Sequence, residues 1–496
     1  QMKKYASGVL LGFMLLGLLL PMSNSSAAPA APAVDSLTII HPHSADFAGH
    51  VISAFRKWYN DTFAVEITVD TIEKDSSASS TQVSAWGGTP LADVWWGGGE
   101  FEFEQRRQEG GLLEPYNVTE DGNISAFLSG WHLKDDSGDT PNQPVWYAAA
   151  ISGFGIMYNT EYLEAEGLEI PTSWEDLADH SYKGHITMAN PQTSGSTTAS
   201  IKMILQEFNT QADSAAITPD GNSSEGWSLW AKIAGNMGEF TVGSSKPPAS
   251  VFEGTYGIAL TIDYFAWDYI ALSNVLGFNY GGASTFSPDP IAVLTGAPNP
   301  TQAQRFVDYV TSTEGQAKVG KYRIPANKEA VPESNRIPRA WDASGNINPA
   351  FPLIDPFNVS IDGAIHSRAR ELFANWFVLG DNAQKAADAY DAIGKATDAT
   401  ARDNALAMYT KLPSNFDGTF GDLLSLDYHD SAVTGLWASE GAANFDAAKT
   451  EAPKDYGNPI QTTTTTTTTG GPSPGFEAIL LLLVFGAMVV SRRKRK

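Results

Sequence analysis

Short apolar segments with strand periodicity alternate with amphipathic helical segments through the first three hundred residues after the amino-terminal apolar stretch. Residues 37–40 form a short apolar run. In residues 45–59, Phe47, Val51, Ile52, Phe55 and Trp58 lie on one helical stripe. Val65, Ile67 and Val69 then alternate with Glu66 and Thr68, the period-two pattern of a strand. The pattern continues with a strand at 92–96, a helix at 100–109, a strand at 185–189 and a helix at 197–208. In that helix Ile201, Ile204, Leu205 and Phe208 share a face. Strands at 257–262 and 290–294 and a helix at 301–319 follow. This order predicts α/β layers with mostly parallel sheets, in which ligands bind at loops beyond the strand ends. After residue 332 the pattern changes: 368–407 is largely helical, with Leu372, Phe373, Trp376 and Phe377 as its apolar stripe.

The composition excludes several chemistries. The 496 residues include no Cys, so disulfides, thiolate metal sites and cysteine nucleophiles are ruled out. A formal net charge of −24 argues against nucleic acid as a partner, because a phosphate backbone needs a basic footprint. The two ends are built differently from the rest. Residues 2–33 combine Lys3 and Lys4, an apolar core and a small-residue exit, the pattern of a secretory signal peptide. Residues 458–475 hold an unbroken threonine run, 462–469, which reads as an extended stalk. Residues 476–496 hold an apolar stretch and the basic cap Arg492 to Lys496, which the positive-inside rule keeps in the cytoplasm. Pro474, Gly475 and Phe476 resemble the motif of archaeal C-terminal sorting tails, in which a transpeptidase exchanges the helix for a lipid. These ends predict a protein exported from the cell and tethered to the outer face of a membrane; it is expected to be a monomer. Sequons at Asn60, Asn117, Asn123, Asn222 and Asn358 fit a glycosylated surface.

Four segments in order carry a wider resemblance: 37–59 with His41-Pro42-His43-Ser44; 91–99 with Trp95-Trp96-Gly97-Gly98-Gly99, followed by 111–116; 171–196, ending Thr193-Ser194-Gly195-Ser196; and 289–316. Together they resemble the extracellular solute-binding proteins of ABC importers, in the ferric-iron, phosphonate, thiamine and polyamine branch. The resemblance covers residues 37–324 and implies a two-lobed periplasmic-binding-protein-like fold. The first lobe would take 36–147 and the second 148–262. A return segment, 263–330, would complete both, and 331–457 would add a mainly helical extension. One hinge crossing would lie at 146–158, through Ser152-Gly153-Phe154-Gly155, and the other near 256–264. Ligand touching both lobes would favour the closed form, which a membrane permease would recognise.

The residues themselves nominate a site. Ser194, Gly195, Ser196 and Thr197 open a helix, where unpaired N–H groups and hydroxyls favour an anion. Asp263 and Tyr264 follow a strand, at the place where iron-binding relatives carry adjacent tyrosines; this chain has only one of the pair. His41, His43 and Ser44 form the first strand-to-helix loop, and Gly98, Gly99 and Glu100 the second. Ser152 marks the hinge and Ser245 a polar loop of the second lobe. His41, His43 and Tyr264 are the candidate metal ligands. No resident cofactor is required, and ferric iron enters only as a cargo. The expected solute is a small anion such as a phosphonate, or a ferric chelate; a cationic solute such as a polyamine is the alternative, from Glu100, Asp263 and nearby aromatics. A secreted hydrolase with Glu100 and Asp263 as paired carboxylates is a weaker reading, since neither a Gly-x-Ser-x-Gly elbow nor a His-Glu-x-x-His helix is present. No enzymatic activity is expected. A surface-layer or adhesion protein would fit the stalk but not the alternating body.

Overall fold

The computed structural model describes residues 34–128, 131–135, 143–209, 221–354 and 358–454. The signal peptide, threonine stalk and sorting tail fall outside them. Two sheets meet on one long strand, Tyr147–Asn159. Its first half pairs antiparallel with Phe286–Val293, from Ile291 opposite Tyr147 to Phe286 opposite Gly153. Its second half pairs with Ile258–Ile262, from Phe154 opposite Ile262 to Tyr158 opposite Ile258, and with Leu276–Asn279 on the other side. The change of sheet falls at Gly153 and Phe154. A Cβ at Gly153 would sit 2.5 Å from the Phe286 ring, so glycine is what lets the two strands and the aromatic ring share this point.

The first lobe continues outward from Phe286–Val293 through Val94–Trp96 and Val34–His41 to Glu66–Glu73. The helix Ala45–Phe63 covers this sheet because Phe47, Val51, Phe55 and Tyr59 recur every four residues and are all buried. It stops at Ala64, which turns into the left-handed region (φ 53°) and donates its N–H to the Asn60 carbonyl. The second lobe continues from Ile258–Ile262 through Ile186–Ala189 to Met237–Thr241. The outermost pairs of both lobes are parallel, whereas every pair made by the hinge strand or by the returning strand Phe286–Val293 is antiparallel. The expectation of mostly parallel sheets therefore holds only away from the hinge. A chain that crosses between lobes and then returns must run in opposite directions there.

The second crossing is not at 256–264. Strand Ile258–Ile262 lies wholly in the second sheet, and the chain returns between Asn279 and Phe286. There Ser284 clamps the hinge strand: its Oγ accepts from Phe154 N at 3.1 Å and donates to Phe154 O at 2.8 Å. A third crossing joins it, with Ser284 N donating to Pro352 O and Ile354 N to Ser284 O. Before this crossing, Ile337, Ala340, Trp341 and Phe351 pack in the first-lobe core. After it, helices from Val359–Phe373 to Ser431–Glu451 share one continuous core with the second lobe, joining Trp376, Phe377, Trp437 and Phe445 to Trp227, Trp230 and Ile204. The helical part of the 331–457 extension thus begins only at residue 359 and thickens the second lobe. The expected helix at 301–319 is two, Pro300–Thr311 and Thr313–Val319, because Ser312 breaks the first and caps the second.

Candidate functional site

A cavity of about 120 Å³ lies between the lobes, beside the hinge. Loops at strand ends build its first-lobe side. His43 follows Val34–His41, and Gly98 and Gly99 follow Val94–Trp96. Gly97, Gly98 and Gly99 all have positive φ (86°, 135° and 91°), so this loop needs glycine. The His43 ring is held edge-on to Trp96 (4.3 Å between centroids) and Phe47 (5.0 Å) and stacks on His41 (5.4 Å). Although His43 is buried, neither of its ring nitrogens has a partner among the described residues, and the same is true of Ser152 Oγ at the hinge. Buried polar atoms are nearly always paired, so these point to a ligand.

The second lobe contributes the start of helix Gly195–Glu207. Ser194 is its N-cap, accepting from Thr197 N at 3.1 Å and contacting the hydroxyls of Ser196 (3.0 Å) and Ser244 (2.8 Å). Gly195 and Ser196 line the cavity, while Ser194 and the buried Thr197 support them from behind. A Cβ on Gly195 would meet only Glu102 Oε1, at 3.9 Å. The space in front of Gly195 is therefore open toward Glu102 of the first lobe.

The charged lining is richer than the sequence reading foresaw. Glu100 and Glu102 open helix Glu100–Glu109, and burial, joined for Glu100 by the neighbouring Glu104 and Asp362, pushes both carboxyls up to about 7. Lys202 is buried on the Gly195–Glu207 helix and forms an ion pair with buried Asp362, whose backbone carbonyl also accepts from Lys202 Nζ at 3.2 Å. Asp289 pairs with Arg323 and accepts from Gly98 N at 3.1 Å. Phe101, Gly363 and His366 complete the wall, and the rings of Phe101 and His366 lie parallel at 4.2 Å. Lys202 carried one legible signal, a lone cation in an otherwise buried helical run. Asp362 and His366 lie beyond the resemblance and carried none.

Of the nominated residues, His43, Gly98, Gly99, Glu100, Ser152, Gly195, Ser196 and Tyr264 line this cavity. Asp263 does not. Fully buried, it accepts from Gly153 N at 2.9 Å and from the Tyr280 hydroxyl at 3.0 Å, and so pins the hinge. Burial pushes its carboxyl up to about 7. Glu100 and Asp263 are thus not a carboxylate pair facing one space, as the hydrolase reading would need. Ser44 and Ser245 line a separate groove with Asp46, Trp267 and Asp268. His41 is buried behind His43, its Nδ1 accepting from His43 N at 3.1 Å. Among the described residues, no group of three or more His, Asp or Glu side chains is placed to hold a metal ion. Arg323 sits over the Tyr264 ring at 3.9 Å, and burial together with this cation lowers the proton affinity of His41, to a value of about 4, and of His43. A cation in that position opposes a metal at His41, His43 and Tyr264.

Residues 93–341 match the family profile described as bacterial extracellular solute-binding protein. An uncharacterised protein of Haemophilus influenzae is 25% identical over 261 residues, 51% of this chain and 67% of that protein. The phosphoglycerate transport regulatory protein PgtC of Salmonella typhimurium is 28% identical over 182 residues, 36% of this chain but only 42% of its own length. Among solved structures, the periplasmic binding protein AfuA from Actinobacillus pleuropneumoniae, with exogenous fructose-6-phosphate bound, superposes with a TM-score of 0.56 at 21% identity. That match covers 70% of this chain and 99% of AfuA. At that identity the likeness shows the fold.

Proposed function

Because this chain belongs to the bacterial extracellular solute-binding protein family, we propose that it is a receptor whose lobes close on a small phosphorylated, hydroxyl-bearing solute and present it to a membrane permease. In this reading the carboxy-terminal tail tethers the receptor to the outer membrane face. The observation that carries the ligand class is the meeting, in one cavity, of an open helix start at Gly195–Ser196 with the partnerless polar atoms of His43 and Ser152. A phosphate takes N–H and hydroxyl donors at a helix start. Hydroxyl groups at the other end of the solute suit Glu100 and Glu102, which accept hydrogen bonds when ionised and donate when protonated. PgtC is a regulatory protein of phosphoglycerate transport and the AfuA structure holds fructose-6-phosphate, and both support the same class.

A second reading is favoured by a specific feature. Glu100, Glu102, Asp289 and Asp362 all line the cavity, and a polyamine would neutralise several of them at once. Thermal-shift and calorimetric titrations with 3-phosphoglycerate, fructose 6-phosphate, inorganic phosphate, ferric citrate and spermidine separate these readings. A ligand at one hundred times its Kd adds about 2.7 kcal/mol of apparent stability. Stabilisation by a sugar or glycerate phosphate supports the proposal. Stabilisation by spermidine alone, or by ferric citrate alone, replaces it.

A further inference from the structure

Helix Val359–Phe373 lies beyond the segment matched by the family profile, which ends at residue 341, yet three of its residues line the cleft. The helix is held in place by side chains. Asn358 caps its start, accepting from Ile361 N at 3.0 Å, and Asn358 N donates to Gln206 Oε1 at 2.9 Å. The buried Lys202–Asp362 pair fastens the first turn to the Gly195–Glu207 helix. Gln192 Nε2 donates to Glu371 Oε2 at 2.9 Å farther along. From this anchored position the helix reaches the opposite lobe. The His366 ring lies flat on Phe101, with 3° between planes and 4.2 Å between centroids. Phe101 belongs to the first-lobe helix Glu100–Glu109, so this stack crosses the cleft.

We propose that helix Val359–Phe373 is a built-in wall of the ligand site that limits the size of the accepted solute, and that the Phe101–His366 stack latches the lobes together. The wall part rests on the receptor reading above; the latch does not need a ligand. Gly363 is where the wall can be thickened without harm to the fold. Among the described residues a Cβ there meets no heavy atom within 4 Å, and the residue lines the cavity. Leucine at that position favours the helix over glycine and occupies solute space.

Two measurements on the full chain test the proposal. The first uses the absence of native cysteine. Leu91→Cys and Val242→Cys place spin labels on exposed sites of the first and second lobes. In ligand-free protein, His366→Ala and Phe101→Ala each shift the interlobe distance distribution toward longer values, whereas His366→Phe, which keeps a flat ring, preserves the short population. The second titrates Gly363→Leu with 3-phosphoglycerate and fructose 6-phosphate. Its midpoint is expected to equal or exceed that of the parent, its affinity to fall at least tenfold, and the loss to be greater for the larger fructose 6-phosphate. Unchanged distances in both alanine variants overturn the latch, and unchanged affinity in Gly363→Leu overturns the wall. If neither phosphate binds the parent chain, the phosphorylated-solute reading falls and the wall as stated falls with it. The distance measurement still decides the latch by itself.

Discussion

The two lobes face the cleft with different means. The first lobe brings backbone to its face, three consecutive glycines at positive φ with His43 against them, and adds the carboxyls of Glu100, Glu102 and Asp289. The second lobe shapes its face with side chains: a serine N-cap, a buried lysine and a buried aspartate from a helix far along the chain. The cores also differ. First-lobe apolar residues divide into clusters on the two sides of the sheet, one with Phe47, Phe55 and Trp96, another with Trp95, Phe103 and Trp146. The second lobe likewise keeps a small cluster around Met157, Ala259 and Leu276, but its large cluster is fused with the appended helices. A face made of backbone is damaged by steric change, and a face made of charges by loss of a partner. Substitutions on the two faces should therefore fail for different reasons.

The largest effect is expected on the charged face. Lys202→Ala leaves Asp362 buried beside Glu100 without its cation, and removing one partner of a buried pair costs about 3–5 kcal/mol. The paired replacement Lys202→Met with Asp362→Leu removes both charges and should recover most of that loss in urea unfolding. If the single and double variants are equally unstable, packing rather than charge fastens the appended helix. That result would weaken the contrast between the faces.

On the backbone face the corresponding change is Gly97→Ala. Its φ of 86° disfavours any side chain, and a Cβ would stand 2.2 Å from His43 Cε1 in a ring cage that cannot yield. Strain of about 1–3 kcal/mol follows. Displacement of His43 should also abolish binding of whichever phosphate ester the parent protein binds. An unfolding midpoint and an affinity both unchanged would mean that the glycine loop does not set the His43 position.

The contrast also explains what could be read from residues alone. Glycine runs, strand-to-helix loops and a Ser-rich helix start are local features, and Gly98, Gly99, His43, Gly195 and Ser196 all line the cavity as nominated. The hinge strand was placed by the family resemblance, and its Ser152-Gly153-Phe154-Gly155 run is where the close strand contact falls. Groups that matter through a distant partner were not legible. Asp362 is 160 positions from Lys202, and His366 meets Phe101 only after the third crossing has carried the chain back to the second lobe. Asp263 looked like a ligand group because it follows a strand, yet its partner Tyr280 turns it into the hinge. Burial alone could not separate those roles.

A smaller effect is expected at Ser194, where the two means meet. Ser194→Ala removes the N-cap of the Gly195–Glu207 helix and its contacts with Ser196 and Ser244. The loss should be about 1 kcal/mol. Ser194→Asp restores a capping acceptor but sets a negative charge at the proposed phosphate position. It should recover stability in urea unfolding while weakening phosphate-ester affinity further. Recovery of both together would remove the anion from the helix start.

The smallest effect is a pH dependence set by buried groups of the first lobe and the hinge. Glu100, Glu102 and Asp263 keep their protons up to about 7 in the folded chain, whereas the unfolded chain loses them near 4. Between these values the folded state binds more protons, so these three groups make stability fall as pH rises toward 7 and just beyond. The buried histidines act in the opposite sense. His41 takes a proton only at about 4 when folded, and at about 6.5 when unfolded, so its contribution is present above 6.5 and is lost as pH falls toward 4. The two trends oppose each other below 6.5, and only the carboxyls act between about 6.5 and 8. Calorimetry across that upper window should show the midpoint falling by on the order of 1 °C as pH rises. Glu100→Gln with Glu102→Gln should flatten the slope there and leave the histidine-driven fall below pH 6 untouched. An unaltered slope in the double variant would mean that these two carboxyls already reach solvent, and the cleft would then be open rather than latched.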